Sequence, residues 1–345
     1  MKKYLLILMF VSAAFAAVAQ ENRTPYLTKS LTDDAIKNIE AKTSGGSIEV
    51  SGGNAQEARI EVYVSMNGHH IDLSQEETKE KLNADYDLTV SASGNKLTAI
   101  AKPKGRIINW KKTLNISFKI FVPENVSTDL STSGGSISIS NLSGTEDFRT
   151  SGGSLTVKKI TGKIHGETSG GSIDVSDSKD DIDLGTSGGS INAGNCTGKI
   201  SLNTSGGSLE LYDLQGDIKA TTSGGSVNGK NISGELSAHT SGGNVSMYEL
   251  TCSVDASTSG GNINVEIKEI GKYVKLNNSG GHINLTIPKD KGYDLKLYGE
   301  KMDRSFSLNN FSGTVKENKI EGAMNGGGTP ITVDAGGGKI NLSFR

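Results

Sequence analysis

The sequence is poor in the residues that usually build a thick globular core or a covalent framework. Of its 345 residues, 5% are aromatic, two are cysteine, five are proline and one is tryptophan. Two cysteines are too few for a disulfide-stapled fold. After the first 20 residues there is no run of about 18 apolar residues, so no transmembrane helix is predicted. The net charge of −2 gives no reason to expect nucleic acid as a partner.

The sequence also lacks the short motifs of common enzyme classes. It has no GxSxG, HExxH or P-loop motif, and no Rossmann fingerprint in a suitable context. Its five histidines do not fall at the spacing of metal ligands. We therefore predict no catalytic residue, no metal site and no cofactor, and we expect any function to reside in an extended surface.

Glycine is present in excess, with 45 residues or nearly twice the usual ~7%. Much of it lies in the tract TSGGS, which becomes TSGGN in the last two copies of a regular run. A fixed interval of this kind predicts a solenoid, in which each repeat is one coil that buries its apolar face against its neighbours. The first glycines of the run are 18 residues apart: Gly134, Gly152, Gly170, Gly188, Gly206, Gly224, Gly242 and Gly260.

Numbering each coil from the Ser of SGG shows where its strands lie. Positions 5 and 7 are mostly apolar and alternate with polar residues, and positions 14 and 16 repeat this pattern, which predicts two strands near positions 4–8 and 13–18. We expect corners at the paired glycines and near position 12, and hydroxyl ladders that bond to one another. The predicted fold is an all-β, single parallel β-solenoid (β-helix) with right-handed winding.

Four regions follow from this organisation. Residues 1–19 are predicted to be a signal peptide, 20–131 irregular N-terminal coils and a cap, 132–287 the regular array, and 288–345 C-terminal coils and a cap. The first region has Lys2 and Lys3, an apolar stretch from Leu5 to Val11, and a small-x-small cleavage site at 17–19. Ser74 and Glu77 form a capping box that predicts one short helix at about 75–82.

Position 8 supplies the candidate contact surface. Tyr212, Lys230 and Tyr248 occupy it on consecutive coils, which places the two tyrosines ~9.6 Å apart with a lysine between them. Aromatic faces beside a polar group suit sugar rings, but a cation–π stack that only covers the sheet is the alternative. Trp110, in a basic stretch at 102–112, is a further candidate for contact with glycans, or it covers the N-terminal cap.

One coil is acidic and raises a separate question. Oxygen-rich clusters can hold Ca²⁺, and β-helical polysaccharide lyases use carboxylates with a basic residue. The glycine–aspartate pattern of Ca²⁺-binding repeats is missing, so a solvated acidic turn is the favoured interpretation. The aspartates are Asp174, Asp177, Asp180, Asp181 and Asp183.

The two cysteines fall in different coils. Cys196 is at position 10, which is usually apolar, and Cys252 is at position 12, which is usually glycine. They are three coils apart, or ~14 Å along the axis. A disulfide tolerates Cα atoms no more than ~7 Å apart, so we predict two free thiols even in an exported protein.

Taken together, the chain resembles the putative adhesin family of exported bacterial β-solenoid proteins, of the kind labelled auto-transporter adhesin-like heads. The TSGGSIxV repeats, the strand at 116–123 and the tail motifs at 325–328 and 338–342 carry the resemblance. It implies an adhesin-like, non-enzymatic role in the Gram-negative cell envelope, with a glycan or cell-surface component as partner. The site would be periplasmic, outer-membrane-associated or extracellular. A glycan-active β-helix enzyme and a purely structural envelope scaffold are the alternatives.

Overall fold

The structure is a computed structural model that describes residues 24–66, 74–105, 113–304 and 310–345. The predicted signal peptide lies outside these residues. Ser74 caps the α-helix through the expected capping box, and the helix is one turn longer than predicted. The N-terminal elements are β1 (Leu27–Ser30), β2 (Asn38–Lys42), β3 (Ile48–Gly53), a 3-10 turn (Ala55–Glu57), β4 (Arg59–Met66), α1 (Gln75–Asp85), β5 (Tyr86–Ser93), β6 (Lys96–Pro103) and β7 (Leu114–Pro123).

The regular array follows without interruption. From β17 to β20 the two strands of a coil join into one long, bent strand. The elements are β8 (Ser127–Ser131), β9 (Ile137–Ser140), β10 (Ser143–Thr150), β11 (Leu155–Lys158), β12 (Thr161–Thr168), β13 (Ile173–Ser176), β14 (Lys179–Thr186), β15 (Ile191–Gly194), β16 (Thr197–Thr204), β17 (Leu209–Thr221), β18 (Val227–His239), β19 (Val245–Thr258), β20 (Ile263–Asn278) and β21 (Ile283–Ile287).

The C-terminal part adds shorter strands. Within the described residues α1 is the one α-helix, and no helix has the length and apolar character needed to cross a bilayer. The strands are β22 (Tyr293–Tyr298), β23 (Lys301–Arg304), β24 (Phe311–Val315), β25 (Lys319–Met324), β26 (Thr329–Asp334) and β27 (Lys339–Phe344).

The coils stack in parallel with a register of 18 residues. Leu155 pairs with Ile137 on one side and with Ile173 on the other, and this register continues along the array. Inward positions 5, 7, 10, 14 and 16 are almost all apolar and buried, so the core is a set of columns running along the axis. The parallel β-solenoid predicted from the repeat is confirmed, while its handedness stays a prediction.

The second glycine of SGG is required because the coils approach closely there. A Cβ atom added to Gly153 would collide with the carbonyl oxygen of Gly135 in the preceding coil. The hydroxyl of Thr150 donates to that same oxygen at 2.8 Å and accepts a hydrogen bond from the Gly153 N–H at 3.3 Å. The threonine hydroxyls therefore bond to backbone groups, and the mutual hydroxyl ladder expected from the sequence is wrong for this column.

The predicted corner at position 12 is present as a kink inside a strand, where four glycines adopt φ between 107° and 131° and approach the preceding coil closely: Gly162, Gly198, Gly216 and Gly234. A second corner, which was not predicted, lies three residues earlier at position 9, whose residues adopt the left-handed region with φ between 54° and 57°. Asn and Asp tolerate this conformation better than most residues, and they fill most of the column. The position 9 residues are Asn141, Lys159, Asp177, Asn195, Asp213, Asn231 and Glu249.

At each end of the solenoid, one coil is inserted between two coils that come from elsewhere in the sequence. β2 lies between β6 and β8, and β3 lies between β7 and β9. At the other end β26 lies between β20 and β22, and β27 lies between β21 and β23. Antiparallel strands cover the outside: β4 with β1 on β7, β5 on β6, and β25 with β24 on β22. The terminal coils are therefore paired on both sides.

Candidate ligand-contact surface

Position 8 forms an outward-facing column on the first of the two strands of each coil. Three consecutive coils place Tyr212, Lys230 and Tyr248 in this column. The register pairs Tyr212 with Lys230 and Lys230 with Tyr248. Tyr212 and Tyr248 are 46% and 44% exposed. Among the described residues, Leu27 is the one other large apolar side chain with comparable exposure. The tyrosine pair is thus the main exposed aromatic feature of the described surface.

Hydrogen bonds to a neighbouring carboxylate fix the first tyrosine. The Tyr212 hydroxyl donates to Glu210 Oε2 at 2.8 Å, and Asn228 Nδ2 donates to Glu210 Oε1 at 2.7 Å. The hydrogen bond to Glu210, followed by partial burial, raises the pKa of Tyr212. The ring is therefore positioned by two successive coils before any ligand arrives.

Lys230 does not form the cation–π stack that was the alternative interpretation. The cation–π contacts among the described residues lie at Phe121 and Tyr298, away from this column. Lys230 Nζ instead lies 3.8 Å from Glu249 Oε2, and Lys268 Nζ lies 3.5 Å from the same oxygen. Glu249 is therefore shared by two lysines beside the tyrosines and offsets one of their two positive charges.

Trp110 falls outside the described residues, as do its basic neighbours at 106 and 111–112. Two basic members of the same stretch are described. Lys104 Nζ donates to the Asn83 carbonyl at 2.5 Å and lies 3.8 Å from Asp87, so it faces the end of α1 and β5. A role of Trp110 in binding stays a prediction.

The acidic coil does not gather its carboxylates at one point. Asp174 accepts a hydrogen bond from Asn192 at 2.7 Å, and Asp177 accepts one from Asn195 at 2.6 Å. The bond from Asn195 lowers the pKa of Asp177. On the second strand, His165 Nδ1 lies 3.2 Å from Asp183. No group of three or more His, Cys, Asp or Glu side chains among the described residues is arranged to hold a metal ion.

A shallow groove of about 650 Å³ runs along the outer face of the second strands. Position 13 lines it with alternating signs, because Lys163 pairs with Asp181, Asp181 with Lys199, and Lys199 with Asp217. Adjacent opposite charges stabilise the stacking of neighbouring strands, so this face is explained by the fold itself. The like-charged neighbours Asp217 and Glu235 break the alternation, and Lys272 lies 3.8 Å from Glu235.

Glu146 is a titratable residue that the sequence analysis did not single out. It occupies position 14, where the following coils carry Ile164, Ile182 and Ile200, and its side chain is fully buried. Glu146 could have been identified from the sequence because it places a carboxyl group in a column of isoleucines. Burial raises the pKa of Glu146 to about 7, against a smaller opposing effect of its hydrogen bond from Thr128.

Both cysteines are buried and free. Cys196 lies in the apolar column at position 10, as predicted, and donates weakly to the Gly194 carbonyl at 3.2 Å. Burial raises the pKa of Cys252 to about 12, so its reactive thiolate form is rare. That no disulfide joins these two residues in the exported protein stays a prediction.

No family model matches the chain, and no curated protein is similar to it. Two solved structures are similar over most of their length. One is a "putative cell adhesion protein" from Clostridium sporogenes, with 11% identity, a TM-score of 0.20, and coverage of 92% of this chain and 98% of that one. The other is a "putative adhesin" from Bacteroides fragilis, with 12% identity, a TM-score of 0.22, and coverage of 92% and 96%. Identities and TM-scores this low carry no argument about function.

Proposed function

We propose that this chain is a non-enzymatic binding protein of the Gram-negative cell envelope, exported by its N-terminal signal, and that it contacts glycans through Tyr212 and Tyr248. The observation that carries the proposal is the placement of two half-exposed tyrosines on one face, two coils apart. A parallel sheet repeats every ~4.8 Å, so the rings stand ~9.6 Å apart on a rigid base. An extended polymer lying along the axis would meet both.

The tyrosines suit sugar rings because both partners are amphipathic. An aromatic ring offers a large apolar face and a polar hydroxyl at low entropic cost. A sugar ring offers C–H groups on its face and hydroxyls at its edge. The polar side chains that would bond to those hydroxyls lie next to the tyrosines, on the same or the adjacent coil: Glu210, Asn228 and Lys230.

The charges around the tyrosines favour a neutral glycan over an anionic one. Glu249 pairs with both Lys230 and Lys268, and Glu210 adds a second negative charge beside Tyr212, so the two lysines and two glutamates carry no net charge. A uronic acid or sulfate group would have to compete with Glu249 for the lysines. We therefore propose an uncharged polysaccharide as the ligand.

The alternative of a glycan-active enzyme has less support. Catalysis by a lyase needs a carboxylate and a basic group that converge on one substrate atom. In the acidic coil, Asp174 and Asp177 each accept a hydrogen bond from an asparagine of the next coil, and those bonds tie them to the stacking surface. The remaining alternative, an envelope scaffold, would need no ligand at the tyrosines.

Binding to a panel of neutral and uronic-acid polysaccharides tests the proposal. The double variant Tyr212→Ala, Tyr248→Ala should bind a neutral ligand at least about tenfold more weakly, because two aromatic contacts are lost. Lys219→Ala is the control, since Lys219 is an exposed residue of the same coil as Tyr212 but lies on the other outer face, away from the tyrosine column, and it should leave affinity unchanged.

Other outcomes separate the hypotheses. Unchanged affinity in the double variant would move the site elsewhere, with Trp110 the next residue to test. Release of cleaved products from a uronic-acid polymer would establish the enzyme instead. Glu249→Gln should free Lys230 and Lys268 and shift preference toward anionic polymers, and no shift would contradict the assignment of a neutral ligand.

A further inference from the structure

One carboxyl group interrupts the apolar interior of the solenoid. Glu146 lies on β10 with its side chain 0% exposed, in a column continued by Ile164, Ile182 and Ile200. Position 14 side chains point into the core between the two sheets. An ionised carboxylate in such surroundings is costly, because little solvent or counter-charge compensates the loss of hydration.

The contacts of Glu146 satisfy half of the carboxyl group. Thr128, the residue opposite it on β8, donates a hydrogen bond from Oγ1 to Oε2 at 2.5 Å. Oε1 has no hydrogen-bond partner among the described residues. A charged carboxylate would normally accept several bonds, so this environment is better suited to the neutral acid.

No charged group faces Glu146 from the elements around it. On β8 the adjacent Asp129 is exposed on the outer face, and on β10 the same holds for Asp147. On β12 the residue opposite is Ile164, flanked by the outward Lys163 and His165. The inward residues of β9 are both isoleucines, at 137 and 139.

We propose that Glu146 is a pH-sensitive joint between the N-terminal coils and the regular array, kept neutral in the folded core and loosening the contact of β8 with β10 when it ionises. The proposal is independent of any glycan ligand. It rests on full burial, on the unpartnered Oε1, and on the position of Thr128–Glu146 at the point where the irregular coils meet the regular ones.

The direction of the pH effect follows from proton linkage. Burial raises the pKa of Glu146 from its ordinary 4.5 to about 7 in the folded chain, while the unfolded chain keeps the ordinary value. Between these two values the folded state binds more protons than the unfolded state. Stability contributed by this group is therefore complete below about pH 4.5, falls as the pH rises to about 7, and is lost above it.

Thermal unfolding between pH 4.5 and 8.5 tests this joint. The native protein, Glu146→Gln and the exposed-residue control Glu124→Gln are compared at each pH. We expect the Tm of the native protein, relative to Glu146→Gln, to fall by several degrees across this range, because the amide stays neutral throughout. The same difference taken against Glu124→Gln should change little.

A direct measurement of the carboxyl proton keeps the proposal falsifiable if Glu146→Gln does not fold. Infrared spectra of the native protein should show the carbonyl band of a buried, protonated carboxyl group at pH 5 to 6, and this band should weaken to about half near pH 7 and disappear at higher pH. Absence of that band at pH 5 to 6, or a Tm difference from Glu146→Gln that is independent of pH, would overturn the proposal.

Discussion

At the scale of the residue, one glycine in each coil sets how closely the coils stack. Gly153 faces the Gly135 carbonyl so closely that no Cβ fits between them, and Thr150 bonds to the same oxygen. The first glycine of the pair differs, because the nearest atom to a Cβ on Gly152 is 3.6 Å away. The two glycines of each repeat are therefore under different steric constraints.

This difference predicts opposite outcomes for two neighbouring substitutions. Gly153→Ala should destabilise the protein by about 3 kcal/mol, because the backbone of two coils must separate to admit a methyl group. Gly152→Ala should change stability by less than about 1 kcal/mol, since the space and the backbone conformation both accept alanine. Chemical unfolding of both variants measures this, and equal losses would show that the close approach at Gly153 is not what requires glycine.

At the scale of the element, strands could be predicted from the sequence better than corners. Apolar residues at positions 5, 7 and 14 identified both strands of each coil. The kink at the glycine of position 12 was predicted, but the corner at position 9, where Asn195 and Asp213 adopt φ of 55° and 56°, was not. A repeated glycine is a clear sequence indicator of a corner. Asn and Asp also adopt the left-handed region, but they are common at other positions too and so predict a corner less clearly.

Individual departures from the column pattern were harder to predict than the pattern itself. Glu146 in an isoleucine column was visible in the sequence, but its full burial and its bond from Thr128 needed the fold. The tyrosine column was placed correctly from the register, yet the partner of Lys230 was not. Glu249 lies at a corner whose geometry the sequence did not reveal.

The separation of coils predicts the chemistry of the two thiols. Cys196 and Cys252 are buried three coils apart and should both stay reduced after export, because no backbone shift compatible with the stack brings them within disulfide range. Mass spectrometry of the unreduced protein, alkylated after unfolding, should count two free thiols per chain. A reduced sample is the control, and a native link between Cys196 and Cys252 would overturn the coil register.

At the scale of the whole molecule, the stack was predictable and its ends were not. A repeat of 18 residues fixes which residues are neighbours within the array. It does not say that β2 and β3 insert between β6–β7 and β8–β9, since that pairing joins residues far apart in sequence. The covered ends limit the exposed strand edges that would otherwise promote aggregation.

The central claim is the parallel stack itself, since the tyrosine column, the buried Glu146 and the separated thiols all depend on its register. Cysteines introduced at Thr156 and Asp174, exposed partners on adjacent coils, should form a disulfide on mild oxidation, because paired Cα atoms lie ~4.8 Å apart. Cysteines at Thr156 and Asn192, two coils and ~9.6 Å apart, should not. Efficient crosslinking of the first pair and not of the second, measured by peptide mass mapping, is the result we predict. The reverse, or equal crosslinking of both pairs, would contradict the account.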